Sequence, residues 1–147
     1  MSPTTHALVG AALGRLAKRT DRAFLAGVAS HALLDGLPHR DSLHPLMWLV
    51  DACGVLGVVA LAAASRDAGM LAGAAGGVLP DLENLSESPP GRHTKIFPSH
   101  WAPHRRHRWG LALGAELLVV AAALLGLSAL ESSGSTPPSQ RRADVIK

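Results

Sequence analysis

The chain has 147 residues, of which 48% are hydrophobic and 17% charged, with a net charge of +3 and a mean hydropathy of +0.21. This length indicates one domain, and the charged fraction lies below the share of about 25% that is usual in soluble domains. The single cysteine, Cys53, excludes an internal disulfide. The many small apolar residues and the scarcity of aromatic residues favour closely packed helices.

Five apolar stretches of the chain are predicted to form helices, and in chain order they are residues 5–16, 23–37, 45–64, 69–79 and 109–130. The first, second and fourth stretches are short for a bilayer crossing, and helices of that length are more often buried, re-entrant or interfacial. The residue before a proline disfavours the α-helical conformation, so the second and fourth helices are expected to end at Pro38 and Pro80.

The third and fifth stretches are each long enough to cross a bilayer. Asp51 is the only charge in residues 45–64, and Glu116 is the only charge in residues 109–130. About 20 apolar residues span a bilayer core of roughly 30 Å, and a tryptophan lies near the start of each stretch, as interfacial aromatics do. The sequence therefore predicts an all-α integral membrane helical bundle with two long spans and three shorter, re-entrant or interfacial helices. Two buried helices of a soluble bundle are the alternative.

The chain divides into a membrane helical domain over residues 1–131 and a tail over residues 132–147. The tail is rich in Ser and Pro and then basic, and it is expected to be disordered. Within the domain, residues 84–108 form a polar loop that contains four of the eight histidines. Its excess of Lys and Arg indicates a cytoplasmic location for this loop.

Histidine and carboxylate side chains are concentrated near the ends of the short helices. His31 and Asp35 lie four residues apart in a predicted helix, so their side chains share one face. Asp81 follows the predicted end of the fourth helix. Imidazole and carboxylate groups are ordinary ligands of zinc and other divalent metals, and ionisable residues within membrane segments are candidates for function. The alternative for His31 and Asp35 is a hydrogen-bonded pair that holds helices together.

The polar loop offers further ligands and an alternative interpretation. His100 and His104 share the four-residue spacing, although Pro103 disfavours a continuous helix there. The same loop is also typical of a basic patch that contacts anionic lipid headgroups. The two acids of the long stretches, Asp51 and Glu116, are expected to pair with Arg or His across helices.

Other chemistries lack sequence support. The chain has no P-loop, no GxSxG element and no CxxC pair. A short run of arginines at residues 105–108 is not accompanied by a nucleic-acid reader module, so no nucleic-acid partner is expected.

Three short motifs resemble those of the inner-membrane metal-dependent hydrolase family, and they are Thr5-His6-x-x-x-Gly10, the helix end Gly77-Val78-Leu79-Pro80-Asp81 and the later Ser99-His100. This family is remotely similar to zinc-dependent phospholipase C. The chain departs from the family pattern at Glu83, where an aspartate is typical, and in the order of its third motif. The resemblance implies a multi-pass protein of the cell's inner (plasma) membrane that uses a divalent metal, zinc in the first instance, to hydrolyse a phosphoester or lipid-like substrate.

From the residues and the resemblance together we predict a metal site with the ligands His6, His31, Asp35, Asp81 and His100, and with His39, His104 and Glu83 in reserve. Glu83 or Asp41 would accept a proton from the attacking water, whose pKa a metal lowers toward about 7. Membrane lipid and a small phosphoester substrate are the expected partners. The alternative is a non-enzymatic membrane protein whose basic loop binds anionic lipid or a partner.

Overall fold

The computed structural model describes residues 1–39, 45–83, 96–97 and 109–134, and these residues contain helices but no strand. The helices are α1 (Pro3–Leu16), α2 (Thr20–Asp35), α3 (Pro45–Ala64), α4 (Ala68–Leu82) and α5 (Trp109–Gly134). All five predicted helices are present, so the all-α prediction is confirmed. The last helix extends three residues beyond the predicted domain boundary at residue 131.

Helices α1, α2 and α4 form a compact three-helix unit in which backbones lie directly against one another. Gly73 of α4 is at the centre of this unit. A Cβ atom on Gly73 would overlap the carbonyl oxygen of Gly10 in α1, and a Cβ atom on Gly27 of α2 would overlap the carbonyl oxygen of Gly73. Glycines recur every fourth residue on the facing surfaces, at Gly10 and Gly14 in α1 and at Gly69, Gly73 and Gly77 in α4. The missing side chains allow this close packing.

Polar residues determine where several of these helices begin and end. The Ser2 hydroxyl accepts a hydrogen bond from the Thr5 N–H at the start of α1, and the Asp67 carboxylate accepts one from the Met70 N–H at the start of α4. Helix α2 ends at Asp35, three residues before Pro38, as the proline predicts.

The predicted end of α4 at Pro80 is wrong, because α4 continues through this residue to Leu82. A proline lacks the N–H that would bond to the carbonyl of Gly76, four residues earlier. Only two helical residues follow Pro80, so the cost is confined to the last turn, and the proline ring is fully buried by packing. Asp81 therefore lies within the helix rather than in a loop.

Helices α3 and α5 are long and apolar enough to cross a membrane. Helix α3 packs on α1 and α4, while α5 packs on α1 alone among the described residues. Only 11% of the most apolar window of α3 and 17% of that of α5 is buried. Helices this apolar are normally buried in a soluble protein. Their exposure supports membrane association over the soluble bundle.

The Gly73→Ala substitution should lower the free energy of unfolding by about 1–3 kcal/mol, the usual cost of overpacking. The added methyl group would meet the backbone carbonyl of Gly10, which cannot rotate away. Gly114→Ala in α5 is the matched control, because a Cβ atom there has no described atom within 4 Å and alanine favours a helix. Denaturant unfolding in detergent, followed by circular dichroism, measures the difference. Equal stability of the two variants would contradict the close packing.

Candidate metal centre

Two histidines and one aspartate converge where α1 and α2 meet. His6 lies in the first turns of α1, while His31 and Asp35 lie in the last turns of α2. A potential ligand atom from each of the three residues lies within 4.8 Å of the other two. Both histidine side chains are fully buried, and the Asp35 side chain is 7% exposed. The predicted His31–Asp35 pair is thus joined by His6 from another helix.

Asp35 lies at the edges of the two imidazole rings, with its carboxylate facing both Nε2 atoms. Its Oδ1 atom is 3.2 Å from Nε2 of His6, and its Oδ2 atom is 3.0 Å from Nε2 of His31. The rings stack with their centroids 3.9 Å apart and their planes at 23°. The amino group of Met1 lies 3.5 Å from Oδ1 of Asp35 and adds a positive charge to this side of the carboxylate. The three side chains therefore direct Nε2 atoms and carboxylate oxygens into one small volume.

A backbone contact from α4 determines which ring nitrogen of His31 carries a proton. Nδ1 of His31 lies 2.8 Å from the carbonyl oxygen of Gly77. A carbonyl can only accept, so Nδ1 carries a proton, and in the neutral ring Nε2 presents its lone pair. That lone pair faces Oδ2 of Asp35 at 3.0 Å and Oδ1 of Asp81 at 3.9 Å. Such acceptors repel each other unless a proton or another cation lies between them. Metal-binding histidines commonly donate their outer nitrogen to a carbonyl in this way.

His6 differs from His31 because it makes no aligned hydrogen bond. Both of its ring nitrogens are buried and lack a hydrogen-bond partner among the described residues. Its Nε2 atom approaches Asp35 closely, but without the angles of a hydrogen bond. Burial lowers the pKa of His6 to about 4, and the Asp35 carboxylate only partly opposes this effect. The ring is therefore neutral at neutral pH, the form in which imidazole binds a metal.

The donor set fits a divalent metal. Two imidazoles and one carboxylate are the protein ligands of many catalytic zinc sites, which leave a further position open. The same set also suits Fe²⁺. Asp81 is not one of these three residues; its Oδ1 lies 3.9 Å from Nε2 of His31, and its side chain is 20% exposed. It is placed to be a fourth ligand or to act on a molecule at the open position.

Two other predicted site residues are described and have different surroundings. His39 is buried, with Nδ1 2.8 Å from the carbonyl oxygen of Leu37, and it is not part of the described group that could hold a metal. The Glu83 carboxylate accepts hydrogen bonds from the backbone N–H groups of Ile96, at 2.8 Å, and Phe97, at 3.4 Å. A ligand role for His39 and a proton-accepting role for Glu83 stay predictions.

The remaining candidates, Asp41, His100 and His104, lie outside the described residues. Their roles as proton acceptor and as ligands also stay predictions. Four of the predicted ligands, His6, His31, Asp35 and Asp81, are close neighbours in the structure.

No family model, curated protein or solved structure matches the chain. The resemblance to the metal-dependent hydrolase family therefore rests on the three motifs. The geometry of the site and the apolar character of α3 and α5 are the basis for the functional conclusions.

Asp51 and Glu116, the acids of the two long helices, bind to the start of α1. The prediction was an Arg or His partner, and neither acid has one within the described part of the chain. Glu116 accepts hydrogen bonds from the Ser2 N–H at 3.0 Å and from the Thr5 hydroxyl at 2.8 Å. The Thr4 hydroxyl donates to Asp51, whose Oδ1 is 3.2 Å away. A helix N-terminus has N–H groups without partners and a partial positive charge, so it attracts carboxylates.

These contacts are not among the predictions from the sequence. The signal that could have indicated them is the hydroxyl-rich start of α1, Ser-Pro-Thr-Thr, directly before His6. This run supplies hydroxyl groups that can donate hydrogen bonds to Asp51 and Glu116, the acids of the two long apolar helices.

Proposed function

We propose that the protein is a multi-pass protein of the inner (plasma) membrane that binds a divalent metal, zinc in the first instance, and hydrolyses a phosphoester or lipid-like substrate. The observation that carries the proposal is the convergence of His6, His31 and Asp35 from two helices in a buried site. The bond from His31 to the Gly77 carbonyl adds support, since it directs Nε2 toward the carboxylates.

A purely structural role explains the three side chains less well. The contact between His31 and Asp35 lies within α2, and the bond that joins His31 to α4 uses Nδ1 and leaves Nε2 facing the carboxylates. His6 does reach across from α1, but its buried nitrogens make no aligned hydrogen bond within the described residues. Buried polar groups without such bonds cost free energy, and an apolar trio would pack there at lower cost. A bound metal would satisfy the ring nitrogen that faces Asp35.

The exposed apolar side chains of the short helices support membrane insertion of these helices too, in addition to α3 and α5. Large apolar side chains are exposed on the short helices too, including Leu25 and Leu33 of α2, which are 64% and 76% exposed. Leu71 and Leu79 of α4 are also exposed. Contiguous apolar surface of this kind is typical of proteins that face lipid or a partner. The three-helix unit would then lie in the membrane beside the two spans.

Each residue of the site has a distinct part in the proposed chemistry. A divalent metal supplies a Lewis acid and activates water at neutral pH. Asp35 would bind the metal together with the two imidazoles, and the Gly77 carbonyl fixes the ring of His31. Asp81 has the accessibility that a general base requires, and it lies beside the ligand nitrogen of His31. Asp81 thereby joins Glu83 and Asp41 as a candidate proton acceptor.

Membranes from cells that express the full chain should retain the protein after an alkaline carbonate wash and release it only into detergent. The apolar windows of α3 and α5 would otherwise be exposed to water. Immunoblots of the pellet and supernatant measure the distribution, with a peripheral membrane protein as the control. Release into the carbonate supernatant would contradict membrane insertion.

The purified full chain in detergent should bind about one equivalent of zinc or another divalent metal. His6→Ala, His31→Ala and Asp35→Ala should each lower the metal content sharply, because each removes one donor of the group. Asp21→Ala is the matched control, since this aspartate lies exposed in the first turn of α2 and bonds to Arg19. Mass spectrometry of metal content and competition with a chelator provide the measurement.

A chain that holds no metal, even after incubation with zinc, would contradict the metal centre. The same conclusion follows if the three ligand variants bind as much metal as the Asp21→Ala control. A His39→Ala variant, measured in parallel, decides whether His39 contributes.

The metal-loaded protein should release a phosphorylated headgroup from phospholipid vesicles. Asp81→Asn should lower kcat by about 10²-fold or more, the usual contribution of a general base. Unchanged metal content in this variant assigns Asp81 as the base, whereas loss of metal assigns it as a fourth ligand. Loss of activity on chelation and its return with zinc complete the test. Metal-loaded protein that hydrolyses no phosphoester would contradict the hydrolase and favour the non-enzymatic alternative, in which the loop binds lipid.

A further inference from the structure

Glu116 is a charged residue in an otherwise apolar helix, and its contacts are specific. Oε1 of Glu116 accepts both the Ser2 N–H, at 3.0 Å, and the Thr5 hydroxyl, at 2.8 Å. Placing a carboxylate in an apolar helix is costly, so such residues usually serve a purpose. Both bonds reach residues that immediately precede His6.

Two hydrogen bonds at Ser2 connect the Glu116 side chain to the backbone of His6. The N–H of Ser2 donates to Glu116, and the carbonyl of the same residue accepts from the N–H of His6 at 3.2 Å. The Ser2 hydroxyl also caps the Thr5 N–H at 3.3 Å and contacts the Thr5 hydroxyl at 3.0 Å. Fixing Ser2 and Thr5 therefore fixes the first turn of α1, from which the His6 ring projects toward Asp35.

Asp51 attaches to the same turn in a weaker way. The Thr4 hydroxyl bonds to Oδ1 of Asp51 at 3.2 Å and also to the backbone carbonyl of Asp51 at 3.1 Å. The backbone bond would survive removal of the Asp51 side chain. Helix α3 is also held by packing on both α1 and α4. Asp51 and Glu116 are thus two similar acids whose expected effects on His6 differ.

We infer that Glu116 is a positioning residue for the metal centre, which acts through Ser2 and Thr5 to hold His6 in place for metal binding. The inference rests on the proposed metal centre. Residues that support a metal ligand in this way typically change metal affinity by about 10–100-fold when they are removed. A helix with the length of a membrane span would then control the geometry of the site through Glu116, the one acid of residues 109–130.

The test compares zinc dissociation constants of variants of the full chain in detergent, measured by chelator competition. Glu116→Ala should weaken zinc binding by about 10-fold or more. Glu116→Gln should bind close to wild type, because both hydrogen bonds end on one oxygen that an amide can supply. Asp51→Ala is the matched control and should also bind close to wild type.

A second readout separates positioning from general destabilisation. The absorption spectrum of the cobalt-substituted protein reports the ligands around the metal, so it should change in Glu116→Ala and remain in Glu116→Gln. Should Glu116→Ala fail to fold, Thr5→Val removes one of the two donors with little change in shape. This variant should also weaken zinc binding.

Three results would overturn the inference alone, given a wild-type chain that binds zinc. They are unchanged affinity in both Glu116→Ala and Thr5→Val, equal weakening in Glu116→Gln and Glu116→Ala, and equal weakening in Asp51→Ala and Glu116→Ala. A wild-type chain that binds no zinc would instead overturn the proposed metal centre and the inference with it.

Discussion

The backbone of α4 lies directly against α1 at Gly77, and the geometry of the candidate site depends on this contact. A Cβ atom on Gly77 would overlap the carbonyl oxygen of His6, so only glycine allows the two helices to approach here. The carbonyl of the same glycine accepts the Nδ1 proton of His31. One residue without a side chain thus brings α4 against α1 beside His6 and bonds to His31 of α2. The bond also selects the tautomer in which Nε2 of a neutral His31 presents a lone pair to the carboxylates.

Much of the fold could be predicted because it depends on local patterns. The apolar runs predict five helices, and Pro38 predicts that the second helix ends before it, as α2 does at Asp35. The four-residue spacing of His31 and Asp35 predicts their contact, since both lie in one helix. The prediction that α4 ends at Pro80 was wrong because the proline rule considers only neighbouring residues. In the structure the proline ring is buried by packing, and α4 continues past it.

The parts of the site that could not be predicted depend on contacts between helices. A tertiary backbone acceptor such as Gly77 leaves no trace in the sequence beside His31, and the two residues are 46 positions apart. Glu116 is 111 residues from Thr5, and the choice of a hydroxyl over an Arg or His partner follows from which helix end lies beside α5. A helix N-terminus can bind a carboxylate without a buried charged side chain, so it is a favourable partner for an acid in an apolar bundle.

The proposed site and the contacts of Asp51 and Glu116 lie at one end of the bundle, where α1 begins and where α2 and α4 end. Glu116 lies seven residues after Trp109, which at 1.5 Å per residue is about 10 Å along α5. On the proposed insertion, with Trp109 near the headgroups, the contact between Glu116 and α1 would lie just below the interface. The proposed metal centre would then lie within about 10 Å of the headgroup layer that carries the phosphoesters of lipids. On that proposal the partly exposed Asp81 would be the side chain beside the group most open to a substrate.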